Sequence, residues 1–290
     1  MTYGTLYVVS TPIGNLEDIT LRGLKILQHV DLIAAENTGH TRKLCSRYHI
    51  RSRLTSYNQH NRRAKGPALI ERLKTGSHIA LVTSGGTPAI SDPGAMLIDA
   101  AMEEGIRVSP VPGPSAVIAA LSVCGLRMDR FVFLGFLSNR PNRRKKELME
   151  LKDEPRTMVI FEAPHRIESL LRDLHEVFGD RRMVVLRELT KIHEEIRKGS
   201  AGSILESLDR DKIKGEYTIV VEGGTKGREC DSLDLEVKKR IGTLLREEKR
   251  GVKEIANRLS AELGLNYRTV YRECLTLKRQ MENESAMDRP

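Results

Sequence analysis

Residues 81–94 read LVTSGGTPAISDPG, and they decide the fold of the first part of the chain. The apolar run HIALVT (78–83) leads into them and has the length and composition of a buried strand, which ends in a loop of Ser, Gly, Thr and Pro. A helix is predicted after the loop, over Gly94–Glu104, and Gly105 closes it. A strand, a glycine-rich loop and a helix in this order are typical of one unit of a parallel α/β sheet.

The sequence on both sides of this unit alternates in the same way. Residues 1–125 are predicted to form an N-terminal α/β domain, and residues 126–224 a second, smaller α/β domain, with a junction at Leu126–Phe136. The last segment, 225–290, changes to helical apolar spacing with a break at Gly264, which predicts a C-terminal helical appendage of helix-turn-helix type. A packing role and a role in nucleic-acid contact are both open interpretations of this appendage. The other predicted strands are Thr5–Ser10, Asp31–Glu36, Ile106–Val111, Thr157–Glu162, Met183–Glu188 and Glu216–Glu222, and the other predicted helices are Leu21–Val30 after a Thr20 cap, Pro67–Lys74 and His165–Phe178.

Composition limits the class of protein. With 39% hydrophobic and 30% charged residues the chain reads as globular, and no apolar run approaches the roughly 20 residues of a membrane helix. The N-terminus lacks the basic start and cleavage site of a signal peptide. The four cysteines are scattered without a Cys-x-x-Cys pair, which argues against a zinc site and a disulfide framework. We therefore expect a cytoplasmic protein with no metal and no membrane partner.

The net charge of +9 is concentrated in two blocks that contain no acidic residue, 37–70 and 139–146. Such blocks are often plain solvated surface, but two in one chain favour a polyanionic partner, nucleic acid first, because clustered cations gain by displacing counterions from phosphates. The cations expected to face RNA are Arg42, Lys43, Arg62, Arg63, Arg143, Arg144, Lys145 and Lys146.

Three predicted strands of the first domain run into loops of small residues: TPIGNLEDIT, SGGTPAISDPG and PGPSA. Glycines let the backbone approach a ligand, and the free N–H groups at a helix start bind it. None of the loops is a G-x-G-x-x-G or a Walker loop, so neither a dinucleotide fingerprint nor a P-loop is present. With FEAPH at a strand end of the second domain, they predict a shared cleft.

Several motifs follow one another in a specific order: LYVVSTPIGNLEDIT, VDLIAAENT, GTPAISDPG, PVPGPSAVIAALSVCGL, RFVFLGFL, FEAPHRI, RELTKIHEE and KGEYTIVVEGG. From about Leu6 to Gly224 the chain thereby resembles the bacterial 16S rRNA (cytidine-2′-O)-methyltransferases of the tetrapyrrole-methylase superfamily. The resemblance implies two α/β domains of the class III methyltransferase type, S-adenosylmethionine as methyl donor, and a homodimer. It also implies a cytidine in the decoding centre of the small ribosomal subunit as the target.

The resemblance also implies cofactor-binding residues: Pro12, Ser84, Gly85, Gly86, Thr87, Ser115, Ala116, Phe136, Glu162 and His165. Our own hypothesis gives catalytic roles to Lys191, in RELTKIHEE, and to Glu36, at the end of a predicted strand, by orienting the RNA or accepting the hydroxyl proton. The alternatives are a phosphate anchor for Lys191 and a structural hydrogen-bonding role for Glu36.

The chain departs from the family pattern at three positions. Family members usually read EDTR and SDAGTP where this chain reads ENTG and TSGGTP, which places Asn37, Gly39 and Ser84 at usually charged positions. Mutual compensation within the site is one interpretation. The alternatives are a binding-only ribosome-associated homologue, or a methyltransferase of the superfamily that acts on another substrate.

Overall fold

The computed structural model describes residues 2–208, 213–224, 235–247, 251–263, 265 and 267–287. Contacts divide the chain into two units, 1–223 and 224–290. The predicted break at Gly264, and Cys230 among the cysteines, lie outside the described residues.

A five-stranded sheet with the order β3-β2-β4-β1-β5 forms the first part of unit 1–223, and its strand pairs are all parallel. β2 and β4 are buried along their whole length, because helices cover both faces of the sheet, and this explains their continuous apolar sequence. The strands are β1 (Thr5–Val9), β2 (Leu32–Ala35), β3 (Arg53–Ser56), β4 (Ile79–Val82) and β5 (Arg107–Val111).

The helices of this part are α1 (Leu21–His29), α2 (Thr38–Arg47), α3 (Arg62–Lys74), α4 (Ala95–Glu103) and α5 (Ala116–Val123). The predicted cap of α1 is confirmed, since the Thr20 side chain accepts a hydrogen bond from the Gly23 N–H at 3.0 Å. α3 begins five residues before the predicted Pro67, because Asn58 and Asn61 bond each other's backbone and start the helix early.

A second sheet, of order β6-β7-β10-β8-β9, completes the unit. β6 and β7 are parallel and the other pairs are antiparallel. Its strands are β6 (Phe131–Phe136), β7 (Thr157–Glu162), β8 (Met183–Arg187), β9 (Glu195–Gly199) and β10 (Tyr217–Val221), and its helices are α6 (Pro141–Glu150), α7 (Ile167–Phe178) and α8 (Ala201–Glu206). The segment interpreted as a junction therefore carries the edge strand β6.

α5 joins the two sheets. Its buried Val117, Ala120 and Leu121 form one apolar cluster with Val159 and Val184 of the second sheet. The predicted domain boundary after residue 125 falls between α5 and β6. Both elements belong to the same unit, 1–223.

The unit 224–290 contains α9 (Leu235–Glu247), α10 (Val252–Leu263) and α11 (Tyr267–Met287). Ile241, Ile255, Leu259, Val270 and Cys274 make its core. Three residues separate α10 from α11, a spacing typical of helix-turn-helix motifs. Among all described residues, no helix is both long enough and apolar enough to cross a membrane.

Candidate active site

The loops that follow β1, β4 and β5 meet at the carboxyl end of the first sheet. Thr11 and Gly86 exchange backbone hydrogen bonds of 2.9 and 2.8 Å, and the hydroxyls of Ser10 and Thr87 lie 2.8 Å apart. Gly113 is so close to Ser10 that a Cβ on it would lie 3.0 Å from the Ser10 Cβ. The three glycine-rich loops thus form one continuous surface.

Two glycines make this close approach possible. A Cβ on Gly85 would lie 3.2 Å from the Pro12 carbonyl oxygen, and Gly86 has φ +88°, in the left-handed region that favours glycine. Pro12, Gly85, Gly86 and Thr87, four of the predicted cofactor residues, are therefore adjacent in space.

The start of α5 lies beside them. The Pro114 carbonyl oxygen would be 4.0 Å from a Cβ on Gly86. Ser115 is the N-cap of α5, and its side chain makes no capping hydrogen bond, so the first N–H groups of the helix, beginning at Ala116, have no side-chain acceptor there. This positive helix end suits an anionic group of a ligand.

The predicted residues of the second sheet differ in exposure. Phe136 leaves 56% of its surface exposed and contacts Phe161 with ring centroids 5.8 Å apart. His165 is exposed, whereas the Glu162 side chain is fully buried and lies 3.0 Å from Arg166. Burial raises the pKa of Glu162 despite the nearby Ala163 N–H and Arg166. Within the part of the chain that the structure describes, the Glu162 Oε2 atom has no hydrogen-bond partner.

Glu36 follows β2 and fixes the start of the loop after β4. Its Oε2 atom accepts hydrogen bonds from the Thr83 hydroxyl (2.8 Å), the Ser84 N–H (3.0 Å) and the Ser84 hydroxyl (2.7 Å). Burial alone would raise the pKa of Glu36, but the bonds from Ser84 and Thr83 outweigh it and the pKa is lowered. Glu36 is thus an ionised hydrogen-bond acceptor at neutral pH.

The departures from the family pattern fit this arrangement. Ser84 donates to Glu36, where an aspartate would place a second negative charge against it. Asn37 caps α2 by accepting from the His40 N–H at 3.1 Å, a role in which Asn and Asp are equivalent. Gly39 leaves room beside this cap, since a Cβ there would lie 3.3 Å from Asn37 Oδ1.

An open cleft of about 520 Å³ lies beside Glu36, within the size range of ligand pockets. Asp92 was given no role by the sequence, although SDPG closes the quoted loop. Burial, with a smaller contribution from the Glu36 charge, raises the pKa of Asp92 to about 6. The residues that line the cleft are Glu36, Asn37, Asn58, Gln59, His60, Ser84, Ser91, Asp92 and Pro93.

Lys191 connects the second sheet to the loop after β1. Its Nζ atom donates to Glu188 (2.7 Å) and Glu216 (2.9 Å), and a Cβ on Gly14 would lie 2.4 Å from the Lys191 Cγ atom. The Asn15 N–H donates to the Thr190 hydroxyl at 3.1 Å. The RELTK segment therefore supports the β1 loop directly.

The charge state of Lys191 separates its predicted roles. Burial alone would lower its pKa, but the bonds to Glu188 and Glu216 outweigh it and the pKa is raised. A protonated amine cannot accept a proton, so the geometry favours the orienting role. Two carboxylates already neutralise the ammonium, which also disfavours a simple phosphate anchor.

We expect Lys191→Met to slow the methyl transfer that the resemblance implies about tenfold, because Glu188 and Glu216 would repel each other while the aliphatic stem against Gly14 remains. Single-turnover rates at saturating RNA measure the effect, and Lys191→Ala, which removes the stem too, should be slower still. Equal rates for the wild type and both variants would contradict a role in the site.

The predicted RNA-facing cations separate into two groups. Arg42, Lys43, Arg63, Arg143 and Lys146 are exposed, and Arg62 is half-buried. Within the described ranges, no ion pair involves Arg42, Lys43, Arg62 or Arg63.

Arg144 and Lys145 require a correction. Arg144 is 2% exposed and its Nε donates to Asp173 at 2.7 Å, so it is a structural residue and not part of an RNA-facing surface. Lys145 is paired with Glu176 at 2.6 Å and is half-buried. The sequence block hid this difference because helix α6 turns these residues toward α7.

The comparisons with known proteins agree with the fold. The sequence profile of the family described as Tetrapyrrole (Corrin/Porphyrin) Methylases matches residues 5–205. Among solved structures, the cobalt precorrin-4 methyltransferase of cobalamin biosynthesis is similar with a TM-score of 0.59 at 18% identity, over 75% of this chain and 94% of that chain. A uroporphyrin-III C-methyltransferase from Thermus thermophilus, complexed with S-adenosyl homocysteine, is similar with a TM-score of 0.55 at 14% identity over 76% of this chain and 97% of that chain.

Curated relatives are much closer in sequence. A protein named ribosomal RNA small subunit methyltransferase I is 45% identical in Xylella fastidiosa, covering 85% of this chain and 90% of the relative. Proteins of the same name in Bacillus subtilis and Thermotoga maritima are 45% and 44% identical over 76% of this chain and 75% and 99% of their own. The chain therefore belongs to the tetrapyrrole methylase family and, within it, to the group named ribosomal RNA small subunit methyltransferase I.

Proposed function

We propose that this protein transfers a methyl group from S-adenosylmethionine to the ribose 2′-hydroxyl of a cytidine in 16S rRNA of the small ribosomal subunit. The observation that carries the proposal is the position of the polar cleft, which adjoins the glycine-rich surface through Ser84. The exposed Arg63 follows the cleft residue His60 by three positions in the chain. The names of the curated relatives support ribosomal RNA as the substrate class.

The residues present fit the methyl donor. The close backbone approach at Gly85 and Gly86 would hold its amino-acid portion, with the start of α5 at Ser115 and Ala116 suited to the carboxylate. The exposed face of Phe136 suits the planar base, and the unpaired Glu162 Oε2 is an acceptor for a donor group. When bound, the cofactor supplies a methyl group activated by its sulfonium.

The protein's own residues then position the hydroxyl. Glu36 fixes Ser84 and Thr83 at the boundary between the cofactor surface and the cleft, and Lys191 supports the β1 loop from the second sheet. Holding the hydroxyl oxygen in line with the methyl group would account for much of the rate. Asn58, Gln59 and His60 would contact the target nucleotide from the rim of the cleft.

Two other functions are weaker. A binding-only homologue was suggested by Asn37, Gly39 and Ser84, but these residues make compatible contacts in the site. A small-molecule substrate, as in the solved relatives named for uroporphyrin and cobalt precorrin, gives no reason for the exposed cations near the cleft. A homodimer and a cytoplasmic location also belong to the proposal.

The test begins with calorimetric titration of S-adenosylmethionine and S-adenosylhomocysteine. Methyl transfer from labelled cofactor to unmodified small subunits follows, with mapping of the modified nucleotide by mass spectrometry. Micromolar cofactor binding and label at one cytidine 2′-oxygen are expected. Binding of the cofactor without transfer to any subunit or free 16S rRNA would contradict the proposed substrate.

The exposed cations predict a salt dependence. Arg42→Ala and Arg63→Ala should each reduce the slope of log affinity against log salt by about 1, because each removes a phosphate contact. Filter binding of small subunits across a salt series measures the slope. Arg107→Ala is the matched control, since Arg107 is also exposed but begins β5 at the opposite end of the sheet. A slope changed equally by all three would place the RNA elsewhere.

A further inference from the structure

Two carboxylates, Glu36 and Asp92, line the cleft, and their hydrogen bonding differs. Glu36 Oε2 is occupied by three hydrogen bonds, from Thr83 and Ser84. Asp92 lines the same cleft as Glu36. Hydrogen bonds to an ionised carboxylate make it a weaker base, so Glu36 is poorly suited to accept a proton.

Thr83 connects the two carboxylates. It is 2% exposed, its hydroxyl donates to Glu36 at 2.8 Å, and it is also the side-chain hydrogen-bonding neighbour of Asp92. A threonine hydroxyl has one hydrogen. While that hydrogen is donated to Glu36, it cannot also be donated to Asp92, so the ionised form of Asp92 is the less stabilised of the two carboxylates.

The backbone next to Asp92 is strained. Ala89 and Ser91 have φ of 69° and 64°, in the left-handed region that side chains rarely adopt. Gly135 of β6 packs so closely that a Cβ there would lie 2.9 Å from the Ser91 Oγ atom. The next residue is Phe136, on the proposed cofactor surface. The loop thus extends from that surface to the cleft, and strained backbone of this kind is common at reactive sites.

We propose that Asp92 is the group that accepts the proton of the substrate hydroxyl. This inference rests on the proposed function. The hydroxyl oxygen forms a bond to the methyl carbon, the carbon–sulfur bond breaks with its electron pair going to sulfur, and the proton passes to an Asp92 oxygen. The cationic methyl donor becomes a neutral thioether, and Asp92 becomes a neutral acid that later releases the proton to water.

The charge environment supports this assignment. The other titratable groups on the cleft are Glu36 and His60, and His40 acts on Glu36 through its charge. Burial and the Glu36 charge raise the pKa of Asp92 to about 6, so Asp92 is ionised at pH 7.5 and is a stronger base than an exposed aspartate.

The test is single-turnover methyl transfer to small subunits from pH 5 to 9, with saturating cofactor. The wild-type rate should rise as the pH increases through about 6 and then level off. Asp92→Asn should lower the rate at pH 7.5 by about 100-fold or more and abolish that inflection. Asp92→Glu should recover part of the rate. Asp99→Asn is the matched control, since Asp99 is exposed on α4.

Calorimetry with S-adenosylhomocysteine separates chemistry from binding. We expect Asp92→Asn to bind it within about twofold of the wild type. An Asp92→Asn variant that keeps the wild-type rate, or keeps the inflection, would overturn this inference and leave the proposed function intact. A wild type that transfers no methyl group to any ribosomal RNA would overturn the proposed function, and this inference with it.

Discussion

Arg144→Met is expected to lower the free energy of unfolding by about 3–5 kcal/mol, because it leaves Asp173 buried without its main partner. Arg144 and Asp173 expose only 3% and 9% of their side chains and lie 2.6 Å apart. Lys145 is 3.9 Å from Asp173 and compensates only in part. Urea unfolding followed by circular dichroism measures the change.

The neighbouring residue provides the control. The Arg143 side chain is 73% exposed and pairs with Glu147 at 3.2 Å, so Arg143→Met should cost about 0–1 kcal/mol. The double variant Arg144→Met with Asp173→Leu should recover most of the lost stability, since it removes both buried charges. Equal destabilisation by the two single variants would contradict the structural role of Arg144. Of the two single variants, only Arg143→Met should lower the affinity for RNA.

Glu36→Gln should reduce kcat/KM for methyl transfer by about 100-fold. The amide carries no charge, so the three hydrogen bonds that hold Thr83 and Ser84 lose their charged acceptor. These residues begin the loop that contains both the glycine-rich surface and Asp92. Glu103→Gln, an exposed change on α4, is the control and should leave kcat/KM unchanged.

The two cleft carboxylates should affect stability in opposite directions. The pKa of Glu36 is lowered in the folded protein, so its ionised form stabilises the fold above the unfolded pKa, and this contribution is lost as the pH falls. The pKa of Asp92 is raised, so its ionised form destabilises the fold as the pH rises through about 6. At pH 7.5, Glu36→Gln should therefore unfold at lower urea than the wild type, and Asp92→Asn at higher urea. The same direction for both would contradict the assigned charge states.

Much of the fold could be predicted because its central strands are continuous apolar runs. β1, β2, β4 and β5 lie within one or two residues of their predicted bounds. α2 and β3 were missed because their sequences, TGHTRKLCSR and RLTS, lack a clear apolar period. α2 depends on its Asn37 cap and on the packing of Leu44 and Cys45, which are tertiary contacts.

Loop composition predicted which segments lie at the candidate site. The environment of an individual side chain could not be predicted in this way, because it arises only when distant segments meet on folding. Asp92 acquires its environment from Glu36, which is distant in sequence. Arg144 had a signal that the charge block hid: it is four residues from the buried Leu148, so helical spacing places both on one face of α6.

The position of β1 has a consequence for synthesis on the ribosome. β1 pairs with β4 and β5, with Leu6 beside Ile79 and Val108. At about 5–20 residues per second, its second partner strand is made roughly 5–20 seconds after β1 itself. Until β4 is made, the nascent chain carries an apolar strand without a native neighbour to pair with, and a chaperone has its longest opportunity to bind there. The first strand to be translated therefore completes its sheet pairing only after both neighbouring strands have been made.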